Sequence, residues 1–185
     1  LYNLNESFMK HFNSYNIHLI YKELLNFCTV DLSSFYFDIR KDTLYCEEKN
    51  SKKRKDCQLL LNIILDSLLK WFAPILSFTT EEIFKLVNKN NSEKSIHLKK
   101  LNVFPKAWNN IDLELNWKKI IDIRNEANSS IEIMRAEKII GSSLEANIEI
   151  ELDEENYNLG KNYDFSEICI TSSAKIINTK KKENL

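Results

Sequence analysis

The run Met134-Arg-Ala-Glu-Lys-Ile-Ile-Gly141-Ser-Ser-Leu-Glu-Ala146 marks a change of period that decides the fold class. Upstream of it, Trp117, Ile120, Ile121, Arg124, Ala127, Ile131 and Met134 recur at helical spacing. Downstream, Leu144, Ala146, Ile148, Ile150 and Leu152 alternate with Glu145, Asn147, Glu149 and Glu151. That alternation predicts a half-buried strand with an acidic outer face. Ser142-Ser-Leu-Glu145 also matches a capping box. The alternation outweighs a four-residue match, so a strand is expected from Leu144 onward. Ile168, Ile170, Ala174 and Ile176 share one parity and predict a second strand.

The 185 residues suffice for one domain, or one domain with a small appendix. At 43% hydrophobic and 11% aromatic the chain can build a core, which excludes the disordered class. Only 2 Gly and 2 Pro leave little turn chemistry, so long helices are favoured over many short strands. A net charge of -1 gives no global attraction to a polyanion, so a nucleic-acid surface has to be a local patch. Cys28, Cys46, Cys57 and Cys169 form no Cys-x-x-Cys pair and fit neither a zinc knuckle nor a disulfide framework. They read as free thiols of a reducing, cytoplasmic compartment. The longest apolar stretch, Leu59 to Phe78, is interrupted by Asn62, Asp66 and Lys70 and is too polar for a membrane span. The chain begins at Leu1 without Met or a signal segment, and reads as an excised domain.

Residues 1 to 45 read as helical, with Ile17, Ile20, Tyr21, Leu24, Leu25 and Cys28 on one stripe. Asp31 is the expected N-cap of a further short helix. Arg40 to Asp56 has no apolar period and is expected to hold a loop and the approach to the next helix. Leu59 to Phe72 is apolar over most of its circumference and is expected at a bundle centre. Pro74 breaks the ladder. Thr79-Thr-Glu-Glu82 then matches a capping box, with Phe78 and Ile83 as its hydrophobic staple, and predicts a helix from Thr80 to about Asn88. Residues 89 to 111 read as a surface connection, and Lys180 to Leu185 as a frayed tail.

No catalytic constellation emerges. His11, His18 and His97 make no metal-ligand motif, and Gly141 and Gly160 alone cannot make a phosphate loop. Arg40-Lys41 and Lys52-Lys53-Arg54-Lys55 are the functional candidates. Cations at a helix entrance can neutralise RNA phosphates. Tyr36, Phe37 and Tyr45 lie close by in sequence, and an exposed aromatic can stack on an unpaired base. Asp38, Asp42, Glu47, Glu48 and Asp56 interleave with the cations, so an ordinary solvated face remains the competing reading. Arg124 sits on the apolar stripe of its helix. It either reaches RNA from a groove between helices, or pairs with a buried carboxylate or snorkels.

Two blocks, Arg135–Ala146 and Asn26-Phe-Cys-Thr-Val-Asp-Leu-Ser-Ser-Phe-Tyr-Phe-Asp-Ile-Arg-Lys-Asp-Thr-Leu-Tyr45, resemble the C-terminal part of bacterial-type isoleucyl-tRNA synthetases. Trp71-Phe-Ala-Pro-Ile-Leu-Ser-Phe-Thr-Thr-Glu-Glu-Ile83 resembles the helix-to-helix junction of that family. The resemblance implies a mainly α fold: the anticodon-binding helical bundle of class I aminoacyl-tRNA synthetases with a small α/β C-terminal appendage. The bundle is expected over 1–140, the appendage over 141–178 and the tail over 179–185. The resemblance also implies a tRNA partner, and Arg40, Lys41, Lys52, Lys53, Arg54, Lys55 and Arg124, chosen by residue type and not carried over from the family, are its candidate contacts. The parent reaction would attach isoleucine to its tRNA with ATP and Mg. The family's His-Ile-Gly-His and Lys-Met-Ser-Lys-Ser type motifs are absent, as are its editing residues and the paired Cys-x-x-Cys of its zinc module. This piece is therefore expected to be non-catalytic, monomeric and without a cofactor or metal of its own, its catalytic and editing domains lying elsewhere. The alternatives are a helical protein-interaction module without an RNA role, or the equivalent domain of a valyl or leucyl enzyme.

Overall fold

The computed structural model describes residues 1–89 and 94–179. The chain forms two compact units, Leu1–Asn109 and Asn110–Leu185. The expected frayed tail, Lys180 to Leu185, lies outside the described residues.

The first unit is helical: α1 (Tyr2–Asn13), α2 (Ile17–Asn26), a π-wound segment (Phe27–Phe37), α3 (Asp38–Tyr45), α4 (Lys52–Phe72) and α5 (Ser77–Val87). Single 3-10 turns at Ile96–Leu98 and Lys106–Trp108 follow. Tyr15, at φ 57°, reverses the chain between α1 and α2. Phe8, Ile20, Leu24 and Trp71 form one core cluster, and Leu69, Ala73, Phe84 and Ile96 a second. Trp71 is wholly buried, and its indole Nε1 donates to the Asn5 Oδ1 at 3.0 Å. Asn5 in turn donates to the Asn102 carbonyl at 3.1 Å, and the Asn102 amide donates to Ser67 Oγ at 3.0 Å. The connection after α5 is thereby sewn onto α1 and α4, with Leu101 and Phe104 packed on the first cluster.

Several expectations in this unit need correction. Asp31 caps nothing, because winding passes without a break from α2 through the π segment into α3. Ser34 Oγ donates to the carbonyl of Thr29, five residues back, at 2.8 Å, matching the wider turn. Arg40 to Tyr45 completes the helical stretch expected through residue 45, and the loop expected within Arg40 to Asp56 is confined to Cys46–Ser51. α4 feeds both core clusters, as expected of a central helix, with Trp71 in the first and Leu69 in the second, although Leu59 near its start stays exposed. The capping box at Thr79 does not form. α5 begins at Ser77, Thr80 Oγ1 donates back to the Leu76 carbonyl, and Phe78 stands in solvent. Glu81 instead accepts from Ser95 Oγ at 2.8 Å and from the Ile96 amide at 3.0 Å.

The second unit contains α6 (Ile111–Ala136), a 3-10 turn (Ser143–Glu145), β1 (Asn147–Leu152), α7 (Glu154–Gly160), α8 (Phe165–Cys169) and β2 (Ser173–Asn178). β1 and β2 pair in parallel, Asn147 opposite Ser173 and Leu152 opposite Asn178. A parallel pair needs a long crossover, which α7 and α8 supply. The core joins Ile120 and Ile123 of α6 to Leu152, Phe165, Ile168 and Cys169. Because α6 shares its core with the strands, the compact units divide at Asn109, whereas the change of period suggested a boundary after residue 140. Leu144 and Ala146 precede the strand. Ser142 Oγ accepts from the Leu144 amide at 3.2 Å and the Glu145 carboxylate from the Gly141 amide at 2.9 Å, so the box-like motif shapes a single turn. Ile168 and Ile170 belong to α8 and its left-handed C-cap, not to β2.

Candidate nucleic-acid interface

α3 packs against α4 across the six-residue turn Cys46–Ser51. Ser51 starts α4: its backbone is extended, and its Oγ accepts from the Arg54 amide at 3.2 Å. This is the expected chemistry of an N-cap serine. The next four residues, Lys52 to Lys55, are the first turn of a 21-residue helix with no acidic residue in that turn. Cations at the positive end of the helix dipole oppose it. The arrangement therefore costs the free protein stability and suits an incoming anion.

The candidate cations are not equivalent. Lys52, Lys53 and Lys55 are exposed. Arg54 is half-buried: its Nη1 donates to the Glu47 carbonyl at 2.9 Å, and its Nε is closed off from solvent. On α3, Lys41 is exposed and paired to Asp38 at 2.8 Å. That hydrogen bond and its charge hold the ammonium above its ordinary value. Arg40 is half-buried beside Tyr36. The Tyr36 hydroxyl lies 3.6 Å from Cys57 Sγ, and burial, followed by that thiol, pushes the phenol up to about 12. Tyr36 is thus bound into the α3–α4 contact. Phe37 is 40% exposed and Tyr45 83%, so Tyr45, at the end of α3, offers the freer ring.

Arg124 is in the other unit. It is buried, and its Nε donates to the Ile168 carbonyl at 2.8 Å. This favours a structural role over an RNA contact, with a backbone carbonyl as acceptor where a carboxylate was expected. The bond satisfies a carbonyl in the last turn of α8, just before Ile170 at φ 57°. A β-branched residue in that region is strained, so a firm anchor beside it has a purpose. Among the described residues, no group of three or more His, Cys, Asp or Glu is placed to hold a metal ion, and no helix is long and apolar enough to cross a membrane.

A family model described as "Anticodon-binding domain of tRNA ligase" matches residues 1–150, spanning the basic turn of α4 and most of β1. An isoleucine–tRNA ligase of Pelagibacter ubique is 59% identical over 174 residues, covering 94% of this chain and 19% of that one. The isoleucine–tRNA ligases of Agrobacterium fabrum and Brachyspira hyodysenteriae are 38% and 44% identical over 167 and 141 residues. Those matches cover 90% and 75% of this chain, and 17% and 15% of the relatives. The chain thus spans less than a fifth of the length of these curated relatives.

Proposed function

Because the chain belongs to the anticodon-binding domain family of tRNA ligases, we propose that it grips the anticodon end of isoleucine tRNA for an isoleucine–tRNA ligase. One observation carries the assignment of the surface: Lys52, Lys53 and Lys55 stand exposed on the N-terminal turn of α4 with no acidic residue in that turn. Phosphates of the anticodon arm bind there, and Lys41 extends the face along α3. Tyr45 offers a ring on which an unpaired base stacks, a contact indifferent to base identity. Arg124 drops out of the contact set, because its guanidinium is engaged with Ile168.

Adenylation of isoleucine, its transfer and editing belong to other parts of the ligase, with ATP and Mg bound there. This portion contributes position: it holds one end of the tRNA while the acceptor end reaches the chemistry. Such a division makes the isolated affinity weak, because the second grip is gone. The ligase works in the cytoplasm, and this portion is monomeric. α5 carries exposed apolar side chains, Phe78, Leu86 and Val87, which favour a protein contact on that helix in addition to the RNA face.

A gel-shift titration tests the assignment. Reversal of Lys52, Lys53 and Lys55 to Glu is expected to weaken isoleucine tRNA binding at least tenfold, with the far-UV spectrum unchanged. The same reversal at Lys180, Lys181 and Lys182 is expected to change it less than twofold. Equal losses in both would reduce the binding to nonspecific charge attraction, and no loss in either would leave the lysines as a solvated face.

A further inference from the structure

Resting on the tRNA-binding reading, we infer that Arg54 is a positioning residue rather than a phosphate contact. It clamps the Cys46–Ser51 turn so that Tyr45 and the lysines of the first α4 turn keep one register. Residue type alone would group Arg54 with its three basic neighbours. The structure separates it from them. Lys52, Lys53 and Lys55 point to solvent, whereas Arg54 is half-buried with its Nη1 on the Glu47 carbonyl at 2.9 Å and its Nε enclosed. Helical spacing gives the reason. Arg54 lies three residues before buried Cys57 and ten before buried Ile64, so it begins the inward face of α4.

The turn it holds is closed from both ends. The Cys46 and Glu47 amides donate to the Asp42 carbonyl at 2.8 and 3.3 Å, and the Ser51 amide donates to Glu48 at 2.9 Å. Ser51 Oγ then accepts from the Arg54 amide. The Arg54 side chain crosses from α4 back to Glu47, two residues past the end of α3. A guanidinium suits this task, since a planar fork fixes both distance and direction where an ammonium fixes neither. The residue adjoining the clamped turn is Tyr45, 83% exposed and near enough to Lys41 to influence its charge. An aromatic ring must be held still to stack on a base, and the clamp supplies that rigidity without touching the nucleotide.

The test compares Arg54→Lys with Lys10→Arg, at an exposed position of α1 outside the binding face, and with Tyr45→Ala, titrating an isoleucine tRNA transcript against the chain at several salt concentrations. Arg54→Lys retains the charge and discards the fork. It is expected to weaken binding about fivefold with an unchanged salt slope, while Lys10→Arg stays within about twofold. Tyr45→Ala is expected to cost about fivefold alone and clearly less than that in the Arg54→Lys background, because the ring is already loose. In the absence of RNA, amide exchange at Cys46, Glu47 and Ser51 should quicken several-fold in Arg54→Lys. Wild-type affinity and exchange in Arg54→Lys would overturn the clamp. So would strictly multiplicative losses in the double variant. If Lys52, Lys53 and Lys55 can all be replaced by Ala without loss of tRNA binding, the binding face itself is refuted and the positioning role falls with it.

Discussion

Replacing Arg124 by Met decides between its two readings, because the structure assigns the loss to folding and not to RNA. The side chain is 9% exposed, and its Nε–H donates to the Ile168 carbonyl at 2.8 Å. Methionine has a similar length and keeps contact with the Ile120–Phe165 core. What it removes is the donor. A buried carbonyl left unsatisfied costs about 1–3 kcal/mol, and a charged donor places this bond toward the upper half of that range. Strain at Ile170, φ 57°, is relieved if the last turn of α8 relaxes, which offsets part of that cost. About 2 kcal/mol is therefore expected. In a unit of fewer than 100 residues that lowers the thermal midpoint by roughly 8–16 °C. The assay pairs scanning calorimetry with tRNA titration at a temperature where both proteins are folded. The expected outcome is a lowered midpoint with tRNA affinity within twofold of wild type. An unchanged midpoint together with a tenfold loss of tRNA binding would refute the reasoning and return Arg124 to the RNA surface.

Four further outcomes follow from the same geometry. Asn5→Ala strips Trp71 Nε1 and the Asn102 carbonyl of their partners, so chemical denaturation should show a loss of about 2–3 kcal/mol. Gly160→Ala places a Cβ 3.2 Å from Phe165 and 3.4 Å from Ile176 in the core of the second unit; overpacking of about 1–2 kcal/mol should be read by the same method. The Cys169 thiol, pushed up to about 11 by burial and only partly offset by Arg124, keeps its proton in the folded chain at a pH where the unfolded chain, at 9.0, has lost it. Stability is thus fully present below pH 9 and falls as pH rises toward 11, with Tyr36 extending the fall from 10.0 toward about 12; denaturation midpoints across that range should fall less steeply in Cys169→Ala. Pyrophosphate exchange with isoleucine and ATP should stay at background, since the chain carries neither class I ATP-site motif.

The elements that could be read from sequence are those whose burial has a simple period. β1 alternates as written, and α6 follows its stripe through buried Ile120, Arg124 and Ile131, with Ile123 buried beside it and Met134 exposed. The stripe of α2 was half right: Ile20 and Leu24 are buried, while Ile17, Tyr21 and Leu25 face solvent. The π-wound segment has no such signature, because Phe27–Phe37 is apolar on most sides and a turn widened by one residue shifts every face. Thr79-Thr-Glu-Glu82 misled because a four-residue match ignores where the preceding chain already winds; Ser77 Oγ bonding back to Ala73 shows that winding. α6 ends at Ala136, and the left-handed Lys138 turns the chain three residues before Gly141. Ile168 and Ile170 shared the parity of β2 by coincidence of spacing, with α8 intervening. At the candidate site the basic run was visible as residue type, and its place at a helix start was legible from Ser51. The inward turn of Arg54 was legible too, from its spacing to Cys57, once α4 is extended back to Lys52.

The salt dependence of tRNA binding tests the central claim most directly. Three exposed lysines that each neutralise a phosphate should contribute about 0.7–0.9 apiece to the slope of log affinity against log salt. Replacing Lys52, Lys53 and Lys55 by Ala should therefore flatten that slope by about 2–2.7, removing a roughly 20–40-fold share of the affinity lost between 50 and 200 mM salt. The same exchange at Lys180, Lys181 and Lys182 should leave the slope within about 0.5 of wild type. A slope unchanged by the α4 triple replacement, or flattened equally by both, would contradict the assignment of the first turn of α4 as the tRNA-binding face.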